Sequence, residues 1–430
     1  MPSNLQPHSV TISRFLILVC ASRISFSLLA AEPSAIELNQ ARLQKLIDSA
    51  PSNSIVRCDP NDHWLLSGPV KIQKPLSLVG LHARLPDKLG STSLVIVEAP
   101  GVSVTDFELV GNGDSVPQKD RAPLLIVNAG DFRVERGLFL NSSKDGVMID
   151  GDALKNQDLV GGVVRDIVGR RVRRDVVSIS GSSGNGPKIR NVLVDNIRCY
   201  DSDLRGAVEV SDGTDNITVR KVYAESSVYA IDVQDHKKPL QSNRNVVIED
   251  IYALRCKHAI RTANSRKGHN NLIVRDITAD QCISPVQISH TDNVVLDSVR
   301  VLNHEGNKPP IHLLDCRGLS VRNVLVENAI SKGPGILLEN CDQALVDGFT
   351  LRGSTNTLAS AICFQITKKD NLSGLRIRNV SAPGVSEAGI VLEIKGQDKG
   401  TLTDYLISGN LATVADRIHG SRSIIADNLP

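Results

Sequence analysis

AVEVSD (207–212), AIDVQD (230–235), AIRTAN (259–264), PVQISH (285–290), PIHLLD (310–315) and GILLEN (335–340) are one short strand written six times. In each, apolar residues alternate with polar ones at a period of two, and most copies end on a turn-forming polar side chain. The series extends outward to LVIVEA (94–99), LLIVNA (124–129), GVMIDG (146–151) and VVSISG (176–181), and then to AICFQI (361–366) and GIVLEI (389–394). Twelve copies with starts 22 to 31 residues apart define a repeat. A second part follows each polar turn: NVLVDNIRC (191–199), NITVRKVYA (216–224), NVVIEDIYA (245–253), NLIVRDITA (271–279) and NVVLDSVRV (293–301), with looser copies at Leu319, Ala344 and Leu372.

Each unit holds two or three short strands and leaves no room for a ten-residue helix, which excludes leucine-rich, ankyrin and helical-pair repeats. The fold expected is all-β, a parallel β-helix of about twelve coils stacked at about 4.8 Å, so that equivalent positions form columns along the stack. Val208, Ile231, Ile260, Val286, Ile311 and Ile336 are its inward column. Asp212, Asp235, Asn264, His290, Asp315 and Asn340 close the first strand; Asn and Asp suit left-handed turns, so this column reads as structural.

Composition agrees. The chain is 41% hydrophobic and only 3% aromatic, with one Trp, five Tyr and seven Phe, which suits many small aliphatic contacts better than one large core. Lys and Arg number 49 against 47 Asp and Glu, a net charge of +2, so there is no basic stripe for nucleic acid. FLILVCA (15–21), preceded by Arg14 and followed by small residues at Ala30 and Ala31, reads as an export signal, and no later segment reaches the length of a membrane span. The organisation expected is a signal over 1–31, a capping helix and first coil over 32–93, the β-helix over 94–420 and a tail over 421–430, for a protein secreted, periplasmic or at the cell surface. Within IELNQARLQKLIDSA (36–50), Ile36, Leu43, Leu46 and Ile47 fall at helical spacing, as a cap over the open end of a solenoid requires. Of eight cysteines, seven follow the signal; Cys256 with Cys282 and Cys316 with Cys341 fall one coil apart, as buried thiols or, in an exported protein, as disulfides.

The third residues of successive first strands are Met148, Ser178, Glu209, Asp232, Arg261, Gln287, His312 and Leu337. Polar residues concentrate in the middle of this column, and Lys144, Asp145, Arg174, Asp175, Arg205, Tyr229 and His258 lead into the same strands. Paired carboxylates from neighbouring coils, Asp145 with Asp175 and Glu209 with Asp232, suit general acid and base chemistry on a glycosidic bond, because crowding separates their pKa values. Arg261 and His258 instead suit β-elimination, an arginine acidifying the carbon beside a uronate carboxylate and a histidine taking the proton. Arg174, Arg205, Tyr229, His236, Lys237, Lys238, Gln287 and His312 are candidates for holding an acidic polysaccharide. The Asp-rich turns offer oxygen atoms to calcium, but no cluster of the six to eight ligands it takes is legible, and no cofactor is expected. No oligomer signature is legible.

The cap and the repeated coils together resemble the pectate-lyase-like superfamily of right-handed parallel β-helix proteins over roughly residues 36 to 420. Within it, NSSKDGVMI at Asn141 resembles the Asn-Thr-Asp-Gly segment of polygalacturonase-type glycoside hydrolases, and Arg174-Asp175-Val-Val-Ser-Ile lies one coil later, where that family has a double aspartate. The resemblance implies catalytic roles for Asp145 and Asp175. The sequence departs from the family where Arg174 replaces one of the paired aspartates, where Leu204-Arg205-Gly206 stands for Gly-His-Gly, and where Arg261 lacks its companion lysine. Two functions follow: a hydrolase or lyase of acidic polysaccharides, or a non-catalytic β-helix that binds glycan or serves as a surface or structural protein. Closed pairs of Glu209 with Arg205 and Asp232 with Arg261 would mark an ion network; a carboxylate facing an open groove would favour catalysis.

Overall fold

The computed structural model describes residues 39–430 apart from short stretches at 88, 114–115, 154–156, 182–187, 237–241, 264–267, 354–356, 396–399, 419–422 and 429–430. The export signal, Ile36, Lys237, Lys238 and Asn264 therefore lie outside the described residues. The chain winds through about 13 turns of a parallel β-solenoid. Its short first strands stack into a 14-stranded sheet and its longer second strands into a 17-stranded one, and the neighbour pairings that flank the site are parallel. Two short strands of the 14-stranded sheet escaped the sequence reading, Val70–Ile72 at its start and Val414–Asp416 at its end, as did long strands of the other sheet before Asn191, among them Ser103–Val110, Phe132–Leu140 and Leu159–Arg170. Pairing also continues past residue 420, where Ile424–Ala426 stacks on Leu406–Ser408 in the stretch expected to be a tail.

Register confirms the columns. Met148 pairs with Ser178, Ser178 with Glu209, Glu209 with Asp232, Asp232 with Arg261, Arg261 with Gln287, Gln287 with His312, and His312 with Leu337. The inward column Val208, Ile231, Ile260, Val286, Ile311 and Ile336 is wholly buried.

The coil bends at single residues. Within the long strands, Asn191 and Asn196, Asn216 and Lys221, Asn245 and Asp250, and Asn271 and Asp276 all have φ between 52° and 58°, and the ladder skips them: Asp195 pairs with Arg220 and Ile197 with Val222. One left-handed residue changes the chain's direction without lengthening the coil, and Asn and Asp adopt that conformation at least cost. The opening asparagines also bond along the stack, Asn216 Nδ2 donating to Asn191 Oδ1 at 2.7 Å and Asn271 Nδ2 to Asn245 Oδ1 at 2.7 Å. Asp212, His290, Asp315 and Asn340 close the first strand in the same conformation.

At the other end of the chain, Gln40–Ser49 forms the expected helix, capped by the Asn39 side chain and burying Leu43 and Ile47, whereas Leu46 stays exposed. It covers a sheet edge by hydrogen bonding as well as by packing. Gln44 Nε2 donates to the Lys71 carbonyl at 3.0 Å, Gln44 Oε1 accepts from the Lys71 amide at 2.8 Å, and Gln40 Nε2 donates to the Pro69 carbonyl at 3.0 Å. These are backbone groups that an open edge would leave unpaired.

All seven described cysteines are free and buried. Cys256 donates to the Ala224 carbonyl at 3.5 Å and Cys282 to the Ala253 carbonyl at 3.5 Å, each one coil back, and burial pushes their thiols up to about 11 and about 12.

Tight stacking makes one glycine decisive. A Cβ on Gly206 would lie 1.7 Å from the Tyr229 carbonyl oxygen, an overlap that only a backbone shift relieves. Gly206→Ala should lower stability by about 3 kcal/mol, read as a lower denaturant midpoint, and an unchanged midpoint would refute this close packing.

Candidate functional site

Where the first strands enter the 14-stranded sheet, four consecutive coils bring their leading residues together. Asp145 precedes Val147–Asp150, Arg174 and Asp175 precede Val177–Ser180, Arg205 precedes Gly206–Ser211, and Tyr229–Gln234 opens the next. A backbone-to-side-chain bond links the first two, the Asp175 amide donating to Asp145 Oδ1 at 3.3 Å. Asp145, Asp175, Glu209 and Asp232 are all essentially inaccessible. Four buried carboxylates need cations and hydrogen-bond donors, because an uncompensated buried charge is strongly unfavourable.

Two arginines supply most of that compensation. Arg205 Nη1 makes a short contact to Glu209 Oε1 and lies 3.5 Å from Asp175 Oδ2, so one guanidinium bridges two carboxylates. Arg174 reaches Asp145 Oδ1 at 3.6 Å, Glu209 Oε2 at 3.5 Å and Asp175 Oδ2 at 3.9 Å. Donors complete the set: Tyr229 Oη donates to Asp175 Oδ1 at 2.7 Å, Ser178 Oγ donates to Glu209 Oε2 at 2.9 Å, and Gln234 Nε2 donates to Glu209 Oε1. His236 sits at the rim, its amide donating to Asp212 Oδ1 at 2.7 Å and its Nε2 lying 3.3 Å from Glu209 Oε1. Asp145 Oδ2 has no hydrogen-bond partner; its nearest cation, Lys144 Nζ, is 3.9 Å away.

These surroundings drive the carboxylates apart in pKa. Burial, then the charges of Glu209 and Asp145, push Asp175 well above the usual carboxylate range. Burial likewise raises Asp145. Burial alone would raise Glu209, but Arg205, His236 and Arg174 outweigh it and hold Glu209 below its ordinary value. The same layer thus favours the protonated form of Asp175 and the ionised form of Glu209. His236 is raised, chiefly by its hydrogen bond to Asp212.

Above this layer lies a cleft of about 460 Å³ lined by Gln118, Arg121, Lys144, Arg174, Leu204 and Arg205. Its charged lining is entirely cationic. Sequence reasoning missed Gln118 and Arg121, which come from a loop one coil before Lys144, around the short turn Gln118–Asp120, and carry no periodic signal. Among the described residues no group of three or more His, Cys, Asp or Glu is arranged to hold a metal ion.

The remaining candidates fall elsewhere. Asp232 is closed off by Arg261, whose Nε donates to Asp232 Oδ1 at 3.0 Å with Nη2 reaching Oδ2, so both pairs that would mark an ion network are formed. Tyr229, expected to offer a ring to substrate, is wholly buried, with Arg261 5.1 Å from its centroid. His258 is also buried; its Nδ1 lies 2.7 Å from the Ser284 carbonyl oxygen, and burial pushes its pKa down to about 4, so it is neutral at pH 7 and faces no groove. Gln287 and His312 keep their places in the column but do not line the cleft, and His312 Nε2 is 3.0 Å from Glu339 Oε2.

No protein-family model and no curated protein matches this sequence. Solved structures do. The family 28 exopolygalacturonase of Yersinia enterocolitica is similar over 84% of this chain and 76% of its own, with a TM-score of 0.52 at 13% identity. The A-module of the mannuronan C-5 epimerase AlgE4 of Azotobacter vinelandii is similar over 90% of this chain and 95% of its own, with a TM-score of 0.53 at 13% identity. Bacteriophage phi29 gene product 12 matches with a TM-score of 0.53 at 13% identity, over 86% of this chain and 61% of its own. At these identities the likeness is one of fold, which polysaccharide-active proteins and a phage protein share.

Because the fold disfavours ionised Asp175, its contribution to stability is complete below the ordinary carboxyl value of 3.8 and is lost as pH rises through the raised folded value. Asp175→Asn, which keeps an acceptor for Tyr229 and carries no charge, should therefore unfold at a higher denaturant midpoint than the parent at pH 8. The gap should close as pH falls toward 3.8. A lower midpoint for the variant at pH 8 would show that Asp175 is an ionised, well-paired carboxylate.

Proposed function

We propose that this protein is an exported, polysaccharide-active β-helix that takes an acidic chain across the cleft. The observation that carries the reading is the cleft's charge: Arg121, Lys144, Arg174 and Arg205 line it, while the carboxylates that the last three approach lie beneath and out of reach. Guanidinium groups bind carboxylates and sulfates in a fork geometry, and a glycan bearing one charge per sugar meets the basic groups of successive coils at short intervals. The fold's likeness to an exopolygalacturonase and a mannuronan epimerase supports a uronate polymer as the ligand. The apolar run at 15–21 supports export, and among the described residues no helix is long and apolar enough to cross a membrane.

A second reading, turnover of the bound chain, is favoured by the split between Asp175 and Glu209. A protonated carboxyl next to an ionised one is the pairing that glycoside hydrolysis uses, with Asp175 as the acid and Glu209 as the base. Arg174 and Arg205, both about a quarter exposed, cover those groups and would turn toward the substrate's own carboxylates to uncover them.

The test is affinity electrophoresis through polygalacturonate, alginate and a neutral dextran, with reducing ends and unsaturated-uronate absorbance followed on the same polymers. The protein should be retarded by an acidic polymer and not by dextran, and Arg121→Ala and Arg174→Ala should each weaken retention roughly tenfold, as expected for a lost charged hydrogen bond of about 1.5 kcal/mol. Retention that survives both substitutions would overturn the binding reading. Reducing ends that appear without absorbance, and disappear in Asp175→Asn and Glu209→Gln, would establish hydrolysis; silence with retention intact would leave binding alone.

A further inference from the structure

The other sheet carries an aromatic feature that the cleft does not use. Aromatic residues are scarce in this chain, and among those described Trp64, Tyr229, Tyr405 and all the phenylalanines are buried in the core. The three that reach the surface stand together on the 17-stranded sheet. Tyr200 and Tyr223 have centroids 5.6 Å apart and planes tilted by 47°, and Tyr223 and Tyr252 lie 5.8 Å apart within 9° of parallel. The Arg170 guanidinium covers one end of the ladder, 4.3 Å from the Tyr200 centroid.

The other end is open. Tyr223 is in register with Tyr252 and Tyr252 with Thr278, whose small side chain continues the column without a ring. Tyr252 is accordingly 38% exposed. Beside the ladder runs a groove of about 440 Å³ lined by Tyr252, and a second of about 400 Å³ is lined by Thr278 one coil on; Asp250 lines both, so the two adjoin along one trough. Its wall is the column of left-handed residues from Asn196 to Asn323, six coils, or about 24 Å at the strand spacing.

We propose that this trough is a second carbohydrate site, for a neutral polysaccharide chain lying along the solenoid axis with one sugar ring packed on the free face of Tyr252. A pyranose ring presents a flat patch of C–H groups matched to an aromatic face, and its hydroxyls call for closely spaced donors and acceptors. Asn196, Arg198, Lys221, Asp250, Asp276 and Arg300 supply these in mixed sign, three cations against two carboxylates. Asp250 and Asp276, set among the three cations, leave the trough close to neutral and repel a polyanion locally, whether an acidic glycan or a nucleic acid, so this ligand differs in charge from the one assigned to the wholly cationic cleft. The proposal does not depend on that assignment.

Affinity gels cast with glucomannan, xyloglucan, mixed-linkage β-glucan or arabinoxylan test it on the intact chain. Retardation by at least one of them is expected, at least tenfold weaker for Tyr252→Ala and unchanged for Arg174→Ala. Tyr252→Phe guards against a variant that fails only through misfolding: it keeps the ring face and should be retarded as the parent is. No retardation in any gel, or retardation that Tyr252→Ala retains or Tyr252→Phe loses, overturns the proposal. So does retardation lost in Arg174→Ala, which would assign the binding to the cleft, or tighter binding of oligothymidylate that Tyr252→Ala abolishes.

Discussion

Everything in this molecule depends on turning corners in one residue. A parallel solenoid keeps its ladder only if every coil returns to the same place, and a corner built from a variable loop on each side would let the long strands drift out of register. Here the bends inside the long strands are single residues at φ near +55°, repeated coil after coil by Asn, Asp, Ser and Lys. Because the bend is fixed, side chains on either side of it stack in columns, and both surface features follow: the ion layer on one sheet and the tyrosine ladder on the other.

The ion layer shows what stacking does to charge. Facing side chains of successive coils lie a strand spacing apart, so Glu209 directly over Asp232 is a repulsive arrangement unless cations intervene. Arg205 and Arg261 intervene, one to each carboxylate, and Arg174 closes the network from the coil before. Removing one partner from such a network leaves another charge buried and alone, so its residues are bound to one another energetically as well as spatially. The surface that emerges has the sign of the uppermost groups, which are arginines and a lysine.

The fold was legible because its period is short and its corner chemistry repetitive; the six strands from 207 to 340 carry inward residues, turn residues and spacing together. The membership of the polar column was equally legible, since register follows from the repeat. Its accessibility was not. Whether Glu209 faces a groove or lies beneath Arg205 depends on side-chain reach between coils, and no periodicity encodes that. The wall made by Arg121 comes from a loop outside the repeat, and a sequence pattern cannot fold a loop over a sheet. The tyrosine ladder did leave a trace: Tyr223 and Tyr252 each stand seven residues after the asparagine that opens their segment. Aromatic poverty drew attention away from where the few rings fall.

The cap gives the stack a direction. The first coil meets a helix whose glutamines bond to its backbone, whereas at the far end Ile424 and Ile425 of the last described strand are exposed and, among the described residues, no helix covers them. In a solenoid each coil is held chiefly by its two neighbours, and for the first coil the helix takes the place of one of them. The cleft and the ladder are both built from strands paired on each side, so the position of the arginines and rings they carry is set from two directions at once.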